Sequence, residues 1–254
     1  MRVPVAIDPT AALAVQNSRM SISERMPPTW RAILPGLVLV VLGSLAFVTI
    51  LDAVLEADDI SSWDQPLLDW MVSVRTPRLT DVMTFVTNMF GPVILPIIVV
   101  IACVIWGALS HRWRDPILLA GAMVMSTVLS AIVKVAVHRP RPEEDLQIIP
   151  GFETSFSFPS GHSTGASTLV LVTGYLLWRR RGGVSWFAAW IVGSVVVIVV
   201  VGGSRLYLGY HFLSDVLAGA CLGLVTLGLV VTASRLLDLR AGREPGRPVE
   251  GAGV

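Results

Sequence analysis

Six apolar stretches, each close to the length of one membrane crossing, constrain this chain more than any other feature. They run over about 33–55, 92–110, 116–137, 162–178, 185–203 and 212–234. A helix needs roughly twenty apolar residues to cross the hydrocarbon core. A chain in that solvent must also satisfy its own backbone hydrogen bonds, so helices are expected. Composition agrees: 54% of residues are hydrophobic and only 15% charged, against about a quarter charged in globular chains. Mean hydropathy is +0.72. The expected fold is all-α and polytopic, with six transmembrane helices in a membrane domain over 33–234. Residues 1–32 form an N-terminal tail and 235–254 a C-terminal tail. From Ala241 onward that tail is rich in Gly, Pro, Arg and Glu and is expected to be disordered. The fourth and sixth stretches begin with polar residues, so their outer ends are the least sharply marked.

About thirty mostly polar residues precede the first run, too many for a cleavable signal peptide, so the reading is an uncleaved anchor. Arginine fixes the orientation. Arg2, Arg19, Arg25 and Arg31 lie before the first run, and Arg112 and Arg114 in the 110–115 turn. Arg179, Arg180 and Arg181 follow the fourth run, and Arg235, Arg240, Arg243 and Arg247 the sixth. All fall on one side of a six-span arrangement, which the positive-inside rule makes cytoplasmic. Asp52, Glu56, Asp58, Asp59, Asp64, Asp69 and Asp81 fall on the other. Both termini are therefore expected in the cytoplasm of a cell-membrane protein.

Between the first two runs, Trp63, Leu67, Trp70, Met71 and Val74 recur at roughly helical spacing among Asp64, Asp69 and Arg75. That pattern predicts an amphipathic helix on the outer interface, or an ordinary surface helix packed on the bundle. Whether it gates lipid entry is open. A net charge of +1 gives no reason to expect a nucleic-acid partner, and no internal repeat suggests a transporter of duplicated halves. Cys103 and Cys221 each lie in an apolar run, where buried thiols are expected rather than a disulfide or metal site.

Three polar blocks interrupt this apolar chain. They are Lys134 with Arg141-Pro142, Pro159-Ser160-Gly161-His162, and Ser204-Arg205 followed by His211 and Asp215. The six-span arrangement puts all three at the outer face. Lys134 is the only lysine; every other cationic side chain is arginine. His211 and Asp215 are four apart and share a helix face. The carboxylate can hold one imidazole nitrogen and leave the other free to attack. Arg205 offers a planar fork to two phosphate oxygens, although an interface anchor would look the same. Ser160 sits where a loop becomes a helix, where backbone amides and a hydroxyl can meet an anion or simply cap the helix. His162 can protonate a leaving oxygen. Snorkelling toward lipid headgroups suits Arg139 better than Lys134, and His138 is read as structural. Chemistry alone does not choose between Arg139 and Arg141.

In order, these blocks resemble the signature of the type 2 phosphatidic acid phosphatase family, related to the vanadium haloperoxidases. The signature is Lys, six residues, Arg-Pro; then Pro-Ser-Gly-His; then Ser-Arg, five residues, His, three residues, Asp. Every position is filled across 134–215, and the spacing selects Arg141. The segment from Arg75 to Gly91 resembles the family's passage into span two more weakly. The resemblance implies that His211 attacks phosphorus to form a phosphohistidine, that Asp215 orients it, and that His162 serves as acid and then base. Lys134, Arg141, Arg205, Ser160 and the Gly161 amide would hold the phosphoryl oxygens, with no metal or other cofactor required.

The function this implies is hydrolysis of a lipid phosphate or diphosphate at the extracytoplasmic face. A polyprenyl diphosphate comes first by analogy, then phosphatidylglycerol phosphate or phosphatidic acid. A lipid phosphotransferase would use the same site. A small anion channel or transporter is the alternative of another class, disfavoured because the polar blocks cluster at one face. The sequence does not identify the lipid or the oligomeric state.

Overall fold

The computed structural model describes residues 27–151 and 153–242. The described residues form eight α-helices and two short 3₁₀ turns, with no strand. Helix α1 spans Pro28–Glu56, α2 Asp64–Ser73, α3 Pro77–Met89 and α4 Ile94–Ser110. Helix α5 spans Arg114–Val137, α6 Gly161–Arg181, α7 Val184–Tyr207 and α8 Leu213–Arg240. Local chemistry sets several ends. Pro28 and Pro77 stand in first turns, where a missing N–H costs nothing. The Thr76 side chain accepts from the Leu79 amide to cap α3.

A helix forms at each of the six apolar stretches, but the helices differ in what surrounds them. Helix α1 from Thr29, α5, α7 and α8 are each long and apolar enough to cross a membrane. Helices α3 and α4 qualify together as a fifth crossing, bent by 54° at the break between them. Alone, the 17 residues of α4 rise only about 26 Å, short of the roughly 30 Å hydrocarbon core. Helix α6 is long enough but not apolar enough. It packs against α5, α7 and α8, so Ser163, Thr164, Ser167 and Thr168 are buried in protein rather than facing lipid.

Helix α8 is the hub, packing on α1, α5, α6 and α7. Its contact with α1 is backbone on backbone: a Cβ added at Gly228 would come 2.6 Å from the Gly36 carbonyl oxygen. The main core joins Leu95 and Val99 of α4, Leu119 of α5, Val172 and Leu176 of α6, and Leu227 and Val231 of α8. Apolar side chains such as Leu45, Val100 and Val199 stay exposed on the outer surfaces of α1, α4 and α7. That surface suits lipid, and the chain is a multi-pass membrane protein. Helix α8 continues past the expected boundary at 234, because Asp238 is held by Arg114 and Arg179. The tail expected to be disordered falls largely on 243–254, outside the described residues.

The segment expected to be amphipathic forms α2, after a 3₁₀ turn over Asp59–Trp63. Its buried positions are Asp64 and Leu68, while Trp63 and Trp70 are exposed. A carboxylate on the buried face is not what a simple apolar stripe predicts; its partners lie in the site.

Candidate active site

The ends of α5, α6, α7 and α8 meet beneath the 139–160 loop, and each is brought there by a local device. Helix α5 stops where His138 takes left-handed backbone (φ 54), followed by Pro140 and Pro142. Residues before proline are pushed to extended backbone. Arg139 and Arg141 serve different partners: Arg139 pairs with Asp64 and Asp215, and Arg141 reaches Ser155, Tyr210 and His211. Helix α7 ends in a turn at Gly209, whose φ of +81 favours glycine. A Cβ there would also lie 2.1 Å from the Leu146 carbonyl oxygen. Helix α8 starts two residues after His211 and runs close to α6, where a Cβ at Gly219 would meet the Ser160 carbonyl oxygen at 2.7 Å.

His211 and Asp215 are both fully buried. His211 Nδ1 faces Asp215 Oδ2 at 3.2 Å, and that oxygen also accepts from the Phe212 amide at 2.9 Å and from the Ser157 hydroxyl. Arg141 Nη1 lies 3.2 Å from His211 Nε2. A guanidinium can only donate, so Nε2 offers its lone pair and the ring proton belongs on Nδ1, toward Asp215. Burial holds the His211 pKa well below its ordinary value, and the cations of Arg205, Arg141 and Lys134 lower it further. The histidine is therefore neutral, with its Nε2 lone pair turned toward Arg141.

Arg141 and Arg205 flank that lone pair. Arg141 donates to the Ser155 and Tyr210 carbonyls at 2.7 and 2.8 Å. Arg205 donates to Thr87 Oγ1 at 2.6 Å and lies over the Tyr210 ring at 4.7 Å. One carboxylate bridges the two: Glu153 Oε2 pairs with Arg141 Nη2 at 2.8 Å, and Oε1 pairs with Arg205 Nη2. Its Oε2 is 3.9 Å from His211 Nε2. The sequence reading did not single out Glu153. Its one signal is to be an acid in the loop that joins the first two polar blocks.

The remaining expected residues hold more local positions. Lys134 Nζ donates to the Phe156 carbonyl and to the Ser157 carbonyl at 3.3 Å, fixing the strand of loop that carries the Ser157 hydroxyl. It is also within electrostatic reach of Arg141, Asp215, Glu153 and Arg205. Ser160 is buried and caps α6, accepting from the Ser163 amide at 3.4 Å, while its own amide donates to the Asp215 carbonyl at 3.0 Å. Gly161 is exposed at the first position of that helix. His162 is half-buried and within electrostatic reach of His211 and Arg205. His138 packs against Phe156 with ring centroids 4.4 Å apart.

Arg139 corrects the sequence reading, which gave it to lipid headgroups. Its side chain is largely buried and pairs with Asp215 Oδ1 and Asp64 Oδ2, each at 2.7 Å.

Residues 115–237 match the PAP2 superfamily. Phosphatidylglycerophosphatase B of Bacillus subtilis (strain 168) is 34% identical over 188 residues, covering 72% of this chain and 89% of that protein. An undecaprenyl-diphosphatase of Sulfolobus acidocaldarius is 33% identical over 109 residues, covering 40% of this chain and 47% of the relative. The crystal structure of a transmembrane PAP2-type phosphatidylglycerolphosphate phosphatase from Bacillus subtilis superposes with a TM-score of 0.66 at 31% identity, covering 75% of this chain and 93% of that one. The buried histidine–carboxylate pair under two arginines thus sits in a chain that matches a curated relative over most of its length, and this chain belongs to the PAP2 superfamily.

Proposed function

We propose that this protein hydrolyses a lipid phosphate or diphosphate at the extracytoplasmic face of the membrane, through a phosphohistidine on His211 and without a metal ion. The observation that carries the proposal is the Glu153 carboxylate. Two anionic oxygens are held by Arg141 and Arg205, one of them 3.9 Å from His211 Nε2. A phosphoryl group presents oxygens to the same forks. With Glu153 displaced, phosphorus would stand where the lone pair points.

Phosphoryl transfer is chiefly positioning and charge stabilisation. His211 Nε2 forms the bond to phosphorus as the bond to the leaving oxygen breaks, and His162 supplies that oxygen with a proton. Neutral His162 then takes a proton from water, whose oxygen attacks the phosphohistidine and releases phosphate and His211. Lys134, Arg141 and Arg205 balance the equatorial charge. Ser160 and the Gly161 amide complete the cradle at the start of α6. Polyprenyl diphosphate comes first by analogy alone; the relative matched over 89% of its length moves phosphatidylglycerol phosphate ahead of it, with phosphatidic acid also a candidate.

The test is phosphate release by purified protein from a panel of these lipids in excess EDTA, beside His211→Ala. Turnover should persist in EDTA and fall by at least about a thousandfold in the variant. Substantial turnover in well-folded His211→Ala removes the nucleophile, and loss of wild-type turnover in EDTA removes metal independence.

A further inference from the structure

The Asp215 carboxylate has a second face that the mechanism above does not use. Its Oδ2 serves His211, but Oδ1 accepts from Arg139 Nη1 at 2.7 Å. The same Nη1 donates to Ser214 Oγ at 2.6 Å, and Nη2 to Asp64 Oδ2 at 2.7 Å. Asp64 Oδ1 in turn accepts from the Ser214 amide at 2.8 Å, and Oδ2 from the Ser214 hydroxyl at 2.5 Å. The guanidinium also lies over the Phe212 ring, 4.5 Å from its centroid. Side-chain exposure falls from 14% at Arg139 to 5% at Asp64 and zero at Asp215. The Arg139 guanidinium is thus held by Phe212, Ser214 and Asp215, all within four residues after His211, and by Asp64 of α2.

We infer that Arg139 and Asp64 are positioning residues for the phosphatase reaction: Asp64 on α2 fixes Arg139, and Arg139 holds the far oxygen of Asp215 so as to set the orientation and charge that His211 meets. The inference rests on the reading of His211 and Asp215 as the reacting pair. The array is a line of alternating charge, with His211 followed by Asp215, Arg139 and Asp64. A buried ion pair is weak evidence for stability by itself, since desolvation cancels much of its attraction. What the geometry adds is direction. Arg139 takes the oxygen that His211 leaves free, so the carboxylate cannot rotate away from the imidazole. Partners of this kind behind catalytic ligands fix tautomer and orientation.

The alternation yields a test that a simple staple between α2 and α8 would fail. Removing the positive charge of Arg139 exposes His211 to the full charge of Asp215, which favours the imidazolium. Removing the negative charge of Asp64 leaves Arg139 uncompensated, which opposes it. In the wild type, burial and cations hold His211 low. The acid limb of kcat/KM, which reports the free enzyme, is therefore expected below the ordinary histidine value of about 6.5. Arg139→Gln should raise that limb and Asp64→Asn should lower it, each by about half a unit to one unit. The double variant should return near the wild type. The other charged or titratable groups around the pair are Lys134 of α5, Arg141 and Glu153 of the loop, His162 of α6 and Arg205 of α7, with Tyr210 beside them. All remain in each variant.

The experiment is a pH profile of phosphate release by the full-length protein in detergent, using the lipid turned over fastest in the panel above, with thermal unfolding measured in parallel. Each single variant should lower kcat about ten- to a hundredfold with KM changed less than about threefold, and Arg139→Lys should recover part of the loss. Acid limbs that do not move, or that move the same way in both variants, overturn the inference. If Arg139→Gln does not fold, the nearly isosteric Asp64→Asn decides alone, and an unmoved limb there overturns it. Retained turnover in His211→Ala sinks the nucleophile reading and this inference with it. A dead His211→Ala beside unmoved limbs sinks the inference only.

Discussion

Glu153 holds the two arginines that the proposed reaction needs for its substrate. Each arginine is buried or nearly so, and an unpaired buried cation is costly. The Glu153 carboxylate relieves that cost, so an incoming phosphoryl group competes with an attached anion. Apparent affinity then falls by the fraction of molecules in which Glu153 has swung clear. Glu153→Gln removes the charge and keeps the length. Inhibition by orthovanadate or inorganic phosphate should tighten by about tenfold, equivalent to about 1.4 kcal/mol. Unchanged or weaker inhibition would mean that Glu153 stays between the arginines while the phosphoryl group binds. The polar blocks made His211, Asp215, Arg141 and Arg205 legible because their spacing is local. Glu153, Ser157, Asp64 and Thr87 were not, because each acts through a partner at least a dozen residues away in sequence. No periodicity records such a pairing.

Helix positions were legible for a different reason. Apolar runs mark six of the eight described helices, since lipid imposes length and composition together. Helix α6 shows where that logic thins: it is wrapped by protein, so its hydroxyl-bearing face carries no hydropathy signal. What arginine counting missed was pairing. At the end of the bundle far from the site, Asp115 accepts from Arg179 at 2.9 Å and Arg180 at 2.7 Å, while Asp238 pairs with Arg114 at 2.6 Å and Arg179 at 2.9 Å. Arginines read as topology markers are thus also a lattice tying α5, α6 and α8 together. Asp115 is buried, and removing one partner of a buried pair costs about 3–5 kcal/mol. Asp115→Ala should therefore lower thermal stability in detergent markedly. The 24 residues of α5 put this lattice about 36 Å from the reacting pair. The fraction that remains folded should turn over at the wild-type rate; equal stability, or a kcat loss in folded protein, would count against this separation.

For the whole molecule, the number of crossings decides which compartment supplies the substrate. Four helices and the bent α3–α4 pair make five crossings on length and composition, and an odd number would put the two termini on opposite sides. Helix α6 supplies the sixth in the proposed arrangement. Its 21 residues rise about 31 Å, enough to span. It runs between α5 and α7 with the three arginines Arg179 to Arg181 at the end opposite Ser160. A re-entrant α6 would return those arginines to the side of the site and leave the charge asymmetry unexplained. Six crossings place the 139–160 loop outside and the α4–α5 turn inside. Asp145 and Arg112 are exposed on those two segments. Asp145→Cys should react with a membrane-impermeant thiol reagent in intact cells, and Arg112→Cys only after permeabilisation, with both native cysteines, Cys103 and Cys221, replaced. The reverse pattern would place the reacting histidine on the cytoplasmic face. A carboxy-terminal reporter on the outer side would reduce the crossings to five and turn α6 back into the protein.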